Sequence, residues 1–509
     1  MRTPFRFLCG PRSTRSALPV LLTALFIPLI PLQLFAQPPA THHHYKLFDL
    51  GTFGGPTSAY FSDPVVASAN NRGMVVGGAD TSMPDPYAPF CFDDCHVMHA
   101  FEWRDGVLND LGSLPNGVDS AALWINERGL VMGFANNGLI DPLSGTPEQD
   151  GVVWKDGQIE DLGTLGGNFS YPNAMNDEDE VVGFAYTTIP DPFSYFGLGT
   201  QAHAFRWHHG HMQDLGTLGG PDSWAAFVNE LGQIAGWSYT DSTPNATTGV
   251  PTQHPFLWEN GKMQDLNTLG GSFAVVGSLA GGGGGAVNNR GQVVGTSNLA
   301  GDQTYHPFLW DRGVLTDLGT LGGDNGEAYW INDAGQIVGR TDTSGNASHH
   351  AVLWDKGTLT DLGIAAGFPC STAIDINERG QVIIDTGICN VGGGPGLLWE
   401  NGGPSVDLNT LLLPGSGLTV GDVNYINDRG EIAATGMLPN GDLHAVLLVP
   451  CDYAHPGMDG CDYDMVEASA AVSQADPAVG NASSRALPRS AVRATSRYRL
   501  TGPAIGPRQ

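Results

Sequence analysis

The feature that most constrains the fold is an internal repeat of about fifty residues. A DLGTLGG-like phrase recurs with its Asp at Asp49, Asp110, Asp161, Asp214, Asp265, Asp317, Asp361 and Asp407. A second phrase, N-x-x-G, has Asp179 in place of the Gly in its third copy, and its Asn residues are Asn70, Asn126, Asn176, Asn229, Asn288, Asn332, Asn377 and Asn427. A third, H-A/P-F-L-W, ends at Trp103, Trp154, Trp207, Trp258, Trp310, Trp354 and Trp399, and its eighth copy, His444–Leu448, lacks the Trp. Such a period is typical of solenoids and propellers.

Each repeat contains four short strand signals and two tight turns. The HAFLW strand is followed by W-x-[ND]-G, as in Trp258–Gly261, and an Asn-Gly or Asp-Gly pair between strands is the strongest short hairpin signal. The N-x-x-G phrase makes the second turn. Four strands joined in this way describe a propeller blade.

The ends of the repeat region predict a closed ring. The first copy opens with a DLG strand, Tyr45–Phe53, and no HAFLW strand precedes it, whereas the last copy ends with HAVLL. The first strand can therefore complete the last blade and remove two exposed sheet edges. The predicted fold class is all-β, a β-propeller of about eight four-stranded blades with terminal-strand ring closure. Seven blades, or a β-solenoid, are the alternatives.

Composition agrees with many short strands and excludes one class of partner. Gly and Pro contribute 71 and 34 of 509 residues, and charged residues are only 15%. Residues 37–484 hold 13 Lys and Arg against 52 Asp and Glu. A surface of this charge repels phosphates, so no nucleic-acid partner is predicted.

Both termini differ from the repeats. Arg2, Arg6, Arg12 and Arg15 precede an apolar run, Ala17–Ala36, which predicts a signal peptide at 1–36, with an uncleaved anchor as the alternative. Secreted, extracellular or periplasmic localisation follows, with no transmembrane segment after signal removal. Residues 45–450 form the predicted ring, 451–463 a small disulfide loop, and 464–509 a disordered tail rich in Ala, Ser, Pro and Arg.

Six cysteines of the exported part form neighbouring pairs. They are Cys91 with Cys95, Cys370 with Cys389, and Cys451 with Cys461. Disulfides are expected in an oxidising compartment. The middle pair flanks the turn Asn377–Gly380 symmetrically, which places its members opposite each other across a hairpin.

These phrases resemble those of the HAF-repeat family, the probable extracellular repeat proteins of bacteria. The resemblance covers about 45–450. It is carried by HAFEW at 99–103, HAFRW at 203–207, DLGTLGG at 161–167, 214–220 and 317–323, and NNRGQVVG at 288–295. The resemblance implies an exported repeat protein without an established biochemical role, and it brings no catalytic residues.

Several repeated residue types could carry chemistry, and each has a structural interpretation. The Trp series is predicted to be core, and the repeated His to bond a neighbouring backbone group. The repeated Asp of DLG is predicted to accept backbone N–H groups, with calcium as the alternative and no other cofactor or metal. The CFDDCH segment, Cys91–His96, predicts a local disulfide over a zinc site. No G-x-S-x-G, Walker or HExxH motif occurs, so no catalytic residue is assigned.

Long insertions before the HAFLW strand occur in copies one to four and should emerge on one face. Aromatic residues outside the repeat phase lie in these loops and are the candidate ligand-binding residues: Tyr87, Phe90, Phe92, Phe193, Tyr195 and Phe196. The alternative is that these insertions reflect sequence drift in surface loops that tolerate change. The sequence thus predicts a monomeric protein that binds an extracellular carbohydrate polymer or surface protein. A polysaccharide-active hydrolase or lyase and a structural cell-envelope protein are the alternatives.

Overall fold

The computed structural model describes residues 41–60, 66–87, 95–191, 199–278 and 285–467. All of these residues belong to one compact unit. The predicted signal segment, 1–36, lies outside the described residues.

The described residues form eight antiparallel blades, each with four main strands. Strands are named A to D from the first to the last within a repeat, and blades are numbered by repeat. The A strands of blades 1 to 8 are Gly54–Ala59, Ser120–Ile125, Gly166–Met175, Ser223–Val228, Gly270–Val276, Gly322–Ile331, Cys370–Ile376 and Thr419–Ile426. The B strands are Val75–Pro84, Val131–Ile140, Val181–Pro190, Ile234–Tyr239, Val293–Leu299, Ile337–Thr343, Val382–Ile388 and Ile432–Met437.

The third and fourth strands complete each blade. The C strands are His96–Arg104, Pro147–Lys155, Thr200–His208, Gln253–Glu259, Tyr305–Asp311, His349–Asp355, Leu397–Trp399 and Leu443–Pro450. The D strands are Val107–Gly112, Gln158–Asp161, His211–Asp214, Lys262–Asp265, Val314–Asp317, Thr358–Gly363, Val406–Asp407 and, for blade 8, Tyr45–Asp49. A short strand, Gly392–Gly393, also pairs with strand B of blade 7, and a 3₁₀ turn follows at Leu408–Thr410.

Ring closure by the terminal strands is confirmed. Tyr45–Asp49 pairs antiparallel with Leu443–Pro450, from Tyr45 opposite Pro450 to Asp49 opposite Val446. The fourth strand of the last blade therefore comes from the beginning of the chain. The propeller is confirmed over the solenoid, and eight blades are present rather than seven.

A closed ring of side-chain hydrogen bonds joins the eight A–B turns. In each repeat the Asn of N-x-x-G donates from Nδ2 to the backbone carbonyl of the corresponding Asn in the next repeat, at 2.8–3.2 Å. Asn427 donates to Asn70, 357 residues away, and closes the circle. Because all eight Asn are buried, each bond satisfies groups that water cannot reach. The A strands are therefore innermost.

The residue after each ring Asn forms a second closed circle. Its side-chain oxygen accepts the backbone N–H of the corresponding residue one repeat earlier, at 2.7–3.0 Å. The members are Asn71, Glu127, Asp177, Glu230, Asn289, Asp333, Glu378 and Asp428. The Asn, Asp and Glu side chains at this position thus have a structural role as acceptors that the sequence did not predict.

The repeated Trp residues pack between the blades, as predicted. Six of the seven are at most 8% exposed, and Trp399 is partly exposed. Burial of an aromatic ring of this size removes more apolar area from water than any other side chain in the repeat.

Aromatic side chains from alternate blades occupy the central channel. Two residues before the ring Asn, even-numbered blades carry Trp124, Phe227, Trp330 and Tyr425. Consecutive members are in ring contact, with centroids 5.6, 6.1 and 6.1 Å apart. Odd-numbered blades carry Ser68, Ala174, Ala286 and Asp375 at this position. Small residues leave room for large neighbours, so the eight positions together form an aromatic plug.

Two of the three expected cysteine pairs are disulfides: Cys370–Cys389 and Cys451–Cys461. Cys95 is also disulfide-bonded, and Cys91 lies outside the described residues. One expectation for the tail was wrong, because Met465–Glu467 forms a strand with Thr41–His43 instead of being disordered. Residues 468–509 lie outside the described residues.

Candidate functional site at the mouth of the channel

The two ends of the ring differ in construction. Because the strands are antiparallel, the A–B and C–D turns of every blade lie at one end, which we call the turn face. The B–C loops and the D–A connections lie at the opposite end, the loop face. All long insertions predicted from the sequence are B–C loops and therefore lie on the loop face.

On the loop face, each DLG Asp holds its own turn. The carboxylate accepts the backbone N–H of the residue two positions later in all eight repeats, at 2.7–3.0 Å. The structural interpretation of this Asp is thereby confirmed. Such a turn is a local arrangement that Asp supports wherever it occurs.

The main partner of the repeated His is a carboxylate and not the predicted backbone group, although His99 also has a hydrogen bond with the backbone of Val118. In six repeats its Nδ1 lies 2.7–2.9 Å from the carboxylate of the DLG Asp. The reason is the C–D hairpin, which returns the Asp to the strand beside the His eleven residues earlier. The hydrogen bond that His99 donates to Asp110 raises the pKa of His99.

The pairs also affect the Asp side chains. Burial acts to raise the pKa of Asp214, but the hydrogen bonds from His203 and Gly216 outweigh it and lower that pKa. The same balance lowers the pKa values of Asp110, Asp265 and Asp361. At neutral pH these carboxylates are therefore ionised and hydrogen-bonded to their His partners.

Above the plug, a second set of side chains lines the channel. Each regular A strand has a β-bulge between the residues four and two positions before the ring Asn. Because side chains alternate and a bulge adds one residue, the position five before the Asn lies on the same face as the plug. This upper ring consists of Ala121, Tyr171, Trp224, Glu327, Thr372 and Asp422.

One half of the upper ring is aromatic. Trp224 stacks on Phe184 of the preceding blade with centroids 4.2 Å apart and planes at 29°. Tyr171 stacks on Phe134 of blade 2 at 5.6 Å, and Trp224 on Trp237 at 6.0 Å. Phe134, Phe184 and Trp237 are buried, whereas Tyr171 and Trp224 are partly exposed. Tyr171 also lies near-parallel to Phe184 at 6.0 Å, so the five rings form a continuous aromatic series in which only Tyr171 and Trp224 are partly exposed.

The other half of the upper ring is polar and charged. Glu327 forms an ion pair with Arg340 on the adjacent strand, with Nη2 2.6 Å from Oε1. Ser278 Oγ lies 3.3 Å from the second carboxylate oxygen of Glu327. The charge of Arg340 is therefore neutralised by a carboxylate that is 1% exposed.

Blades 7 and 8 contribute a pair of carboxyl groups. Asp385 lies opposite Thr372 across the strands of blade 7 and accepts the backbone N–H of Val423 at 2.9 Å. Burial raises the pKa of Asp385, and the charge of Asp422 raises it further. Burial also raises the pKa of Asp422. Both side chains are partly exposed, so this acid pair can contact a ligand at the mouth.

The loops of blades 1 to 3 share an Asp-Pro sequence, which begins at Asp85, Asp141 and Asp191, and the described part of the first two forms turns held by the Asp. Asp85 accepts the backbone N–H of Tyr87 at 2.7 Å, and Asp141 accepts those of Leu143 and Ser144. Asp141 also accepts a hydrogen bond from Asn168 of blade 3. Buried carboxylates therefore hold the described turns at the start of the first two loops.

The structure describes only one of the six aromatic candidates. Burial, followed by the charges of Asp119 and Asp85, raises the pKa of Tyr87. Phe90, Phe92, Phe193, Tyr195 and Phe196 lie outside the described residues. Tyr171, Trp224, Asp385 and Asp422 were not predicted from the sequence. Their positions carry no repeat consensus, because the equivalent residues of other copies include Glu327 on strand A and Phe134 and Arg340 on strand B.

One group of metal-ligating residues occurs among the described residues. His349, Cys370 and Cys389 have ligand atoms within 4.8 Å of one another. The two sulfur atoms form a disulfide and offer no thiolates. Zinc at Cys91–His96 is not tested, because residues 88–94 lie outside the described range.

Searches for known relatives gave no family. No family model and no curated protein matches the chain. The chain is similar to three solved structures, one of them the acylaminoacyl peptidase of Pyrococcus horikoshii (11% identity, 77% of this chain and 59% of that one, TM-score 0.40). The second is YCF48 bound to D1 peptide (10%, 83% and 100%, 0.39). The third is dipeptidyl peptidase 4 of Porphyromonas gingivalis (10%, 78% and 65%, 0.42).

The chain spans about three fifths of the length of the Pyrococcus horikoshii enzyme. Within the parts of the chain that the structure describes, no helix is long and apolar enough to cross a membrane.

Proposed function

We propose that the chain is an exported HAF-repeat propeller that binds an extracellular carbohydrate polymer on its loop face. The observation that carries the proposal is the channel mouth, where partly exposed Tyr171 and Trp224 face the same opening as an acid pair. Binding sites combine a largely aromatic lining with a few placed polar groups. The B–C loops of blades 1 to 3 lie at the same end of the ring.

Exchanging long loops for short ones tests the proposal. In blade 2, residues 137–148 are replaced by the six residues Leu299–Thr304 of blade 5, because Asn136 opposite Gln149 corresponds to Asn298 opposite Tyr305. The matched control replaces residues 343–348 of blade 6, also six residues, with the same segment. Retention is measured on cellulose, chitin, chitosan, pectate and peptidoglycan.

We expect retention of the parent chain and the control on at least one polymer, and at least tenfold weaker retention of the blade 2 exchange. Equal thermal unfolding of the two exchanges shows that the ring is intact. Retention that is independent of the blade 2 loop would contradict a loop-face site.

A second candidate function is hydrolysis of the bound polymer. It is favoured by the acid pair, because glycoside hydrolysis uses one carboxylic acid and one carboxylate. Asp385 and Asp422 have raised pKa values, and shared protonation of such a pair supplies both forms. Release of reducing ends in the same retention assay decides between binding alone and hydrolysis.

A further inference from the structure

A histidine of blade 6 has a setting that the repeat does not explain. His349 begins strand C of that blade, is 9% exposed, and has no hydrogen-bond partner for its ring among the described residues. Other blades carry different side chains at this position: Met98, Gln149, Ala202, Gln253, Tyr305 and Leu443. The blade therefore does not require His here, and a polar ring that is withdrawn from water without a partner calls for another role.

Cys370, on the neighbouring blade 7, stands where other repeats have an oxygen acceptor. Asp119, Asp222 and Asn325 at this position each accept the backbone N–H of the residue before the repeated His of the preceding blade, at 2.8–3.2 Å. In blade 7 the backbone N–H of His349 donates to Cys370 Sγ instead, at 3.3 Å. A hydrogen bond to a charged group favours its charged form, so this N–H stabilises a thiolate of Cys370 whenever the disulfide is open.

Three possible metal ligands thus meet on the loop face between blades 6 and 7. A ring nitrogen of His349 and the Sγ atoms of Cys370 and Cys389 all lie within 4.8 Å of one another. Zinc bound to two thiolates and one imidazole, with Zn–S near 2.3 Å, holds its ligand atoms about 3.5–3.8 Å apart. Opening the S–S bond therefore leaves the three ligand atoms close to the spacing that zinc needs. Cys370 is 2% exposed, whereas Cys389 is partly exposed and gives a reductant or an ion access.

We propose that His349, Cys370 and Cys389 bind a zinc ion when their disulfide is reduced, with water as the fourth ligand. A pair of thiols supplies two electrons and two protons, which convert the protein disulfide into two thiols, and the reductant becomes a disulfide. Zinc then displaces one proton from each Cys thiol. This proposal does not depend on the proposed carbohydrate binding.

The charges around the cluster permit a bound zinc ion. Two thiolates balance the charge of Zn²⁺. Arg340 is near enough to His349 to affect it and opposes a cation there, but its ion pair with Glu327 offsets that charge.

The exchange of a disulfide for zinc keeps blade 7 cross-linked in both redox states. Strands C and D of this blade, Leu397–Trp399 and Val406–Asp407, have three and two residues and are the shortest C and D strands in the described ring. The disulfide connects strand A to the end of strand B within the blade. A zinc ion replaces that link and adds one to blade 6 through His349.

The test measures zinc binding and thermal unfolding of the full chain in its oxidised and reduced forms. Cys91 and Cys95 are first replaced by Ser, because this pair with His96 is another candidate zinc-binding set. Zinc is added before a water-soluble phosphine, which opens the disulfides to the same thiols and brings no thiol ligand of its own. We expect the reduced chain to bind one more zinc ion than the oxidised chain. Its unfolding midpoint should fall on reduction without zinc and rise again with zinc.

His349→Gln locates the site with little effect on the fold, because Gln149 and Gln253 occupy the same position in blades 2 and 4. We expect this variant to bind the additional zinc at least tenfold more weakly and to lose the recovery of the midpoint. The matched control replaces Cys451 and Cys461 by Ser. That pair belongs to no group of three metal-ligating residues in the described part of the chain, so the control should keep the additional zinc.

Cobalt provides a second measurement at the same site. Thiolate ligands give bound cobalt a charge-transfer absorption, which we expect in the reduced parent and the control but not after Cys370→Ser. Equal zinc content in the oxidised and reduced chains, or unchanged zinc affinity in His349→Gln, overturns the proposal. Loss of the additional zinc in the control also overturns it, and so does unfolding of the reduced chain in the presence of zinc.

Discussion

At the residue scale, the His–Asp pair shows how a repeat position acquires its partner. Six blades join the two side chains across the C–D hairpin, but blade 2 has Asp150 where the His belongs, facing Asp161. Burial raises the pKa of Asp150 to about 6. The charges of Asp161 and Glu148 act in the same direction, and a hydrogen bond from Asn137 opposes them. The ionised form of Asp150 therefore destabilises blade 2, and this effect depends on pH.

The substitution Asp150→His should restore the His–Asp pair in blade 2 and stabilise the ring. The folded pKa of Asp150 exceeds its unfolded value near 3.8, so its penalty is absent below about pH 4 and complete above about pH 6. We expect the free energy of unfolding at pH 8 to rise by about 1–3 kcal/mol, with a smaller gain at pH 4. Urea unfolding at both pH values measures this free energy. The reverse control, His203→Asp in blade 3, should lose stability mainly at pH 8, and pH-independent effects would contradict this account.

At the scale of the structural element, the A–B turn is the unit that joins blades. Asn229 donates from Nδ2 to Asn288 O and to Gln233 Oε1, both at 2.8 Å. Its Oδ1 accepts the N–H groups of Leu231 and Gln233. One amide thus closes its own turn and links it to the next blade, which explains why the repeat requires Asn and not Asp here.

Asn229→Asp should destabilise the ring. The change removes both donated bonds and places a carboxylate against a buried carbonyl, so we expect a loss of about 3–5 kcal/mol in the free energy of unfolding. Asn260→Asp is the same chemical change at an exposed turn where other repeats carry Asp105 and Asp156, and it should have almost no effect. Similar losses for the two variants, measured by urea unfolding, would show that the Asn ring contributes little.

At the scale of the whole molecule, the ring depends on strands from the two ends of the repeat region. Tyr45–Asp49 supplies the outer strand of blade 8, and His444 Nδ1 lies 2.7 Å from Asp49. Tyr45 also donates its backbone N–H to Leu411 O. The first strand therefore contacts two blades that are formed almost four hundred residues later.

A chain that begins at residue 51 should lose the cooperative unfolding of the ring. It exposes the edge of Leu443–Pro450, and unpaired strand edges favour association between chains. We expect a lower unfolding midpoint by calorimetry and oligomers by size-exclusion chromatography. A chain that ends at residue 463 keeps all eight blades and serves as the control. An unchanged midpoint in the first truncation would mean that closure contributes little to stability.

The sequence by itself determined the repeat, the four strands and the tight turns, because these follow from residues near one another in the chain. It also determined the closure, because the first copy begins with a D strand and the last copy ends with a C strand. It also predicted the buried Trp series and the turn-holding role of Asp49 and its equivalents. Tertiary structure decided what residues about fifty positions apart do together. It set the Asn circle at eight members, filled the channel from alternate blades, and brought Tyr171, Trp224, Asp385 and Asp422 to one opening. Their positions depend on the bulge of each inner strand and on the curvature of the ring, and neither is encoded in any single repeat.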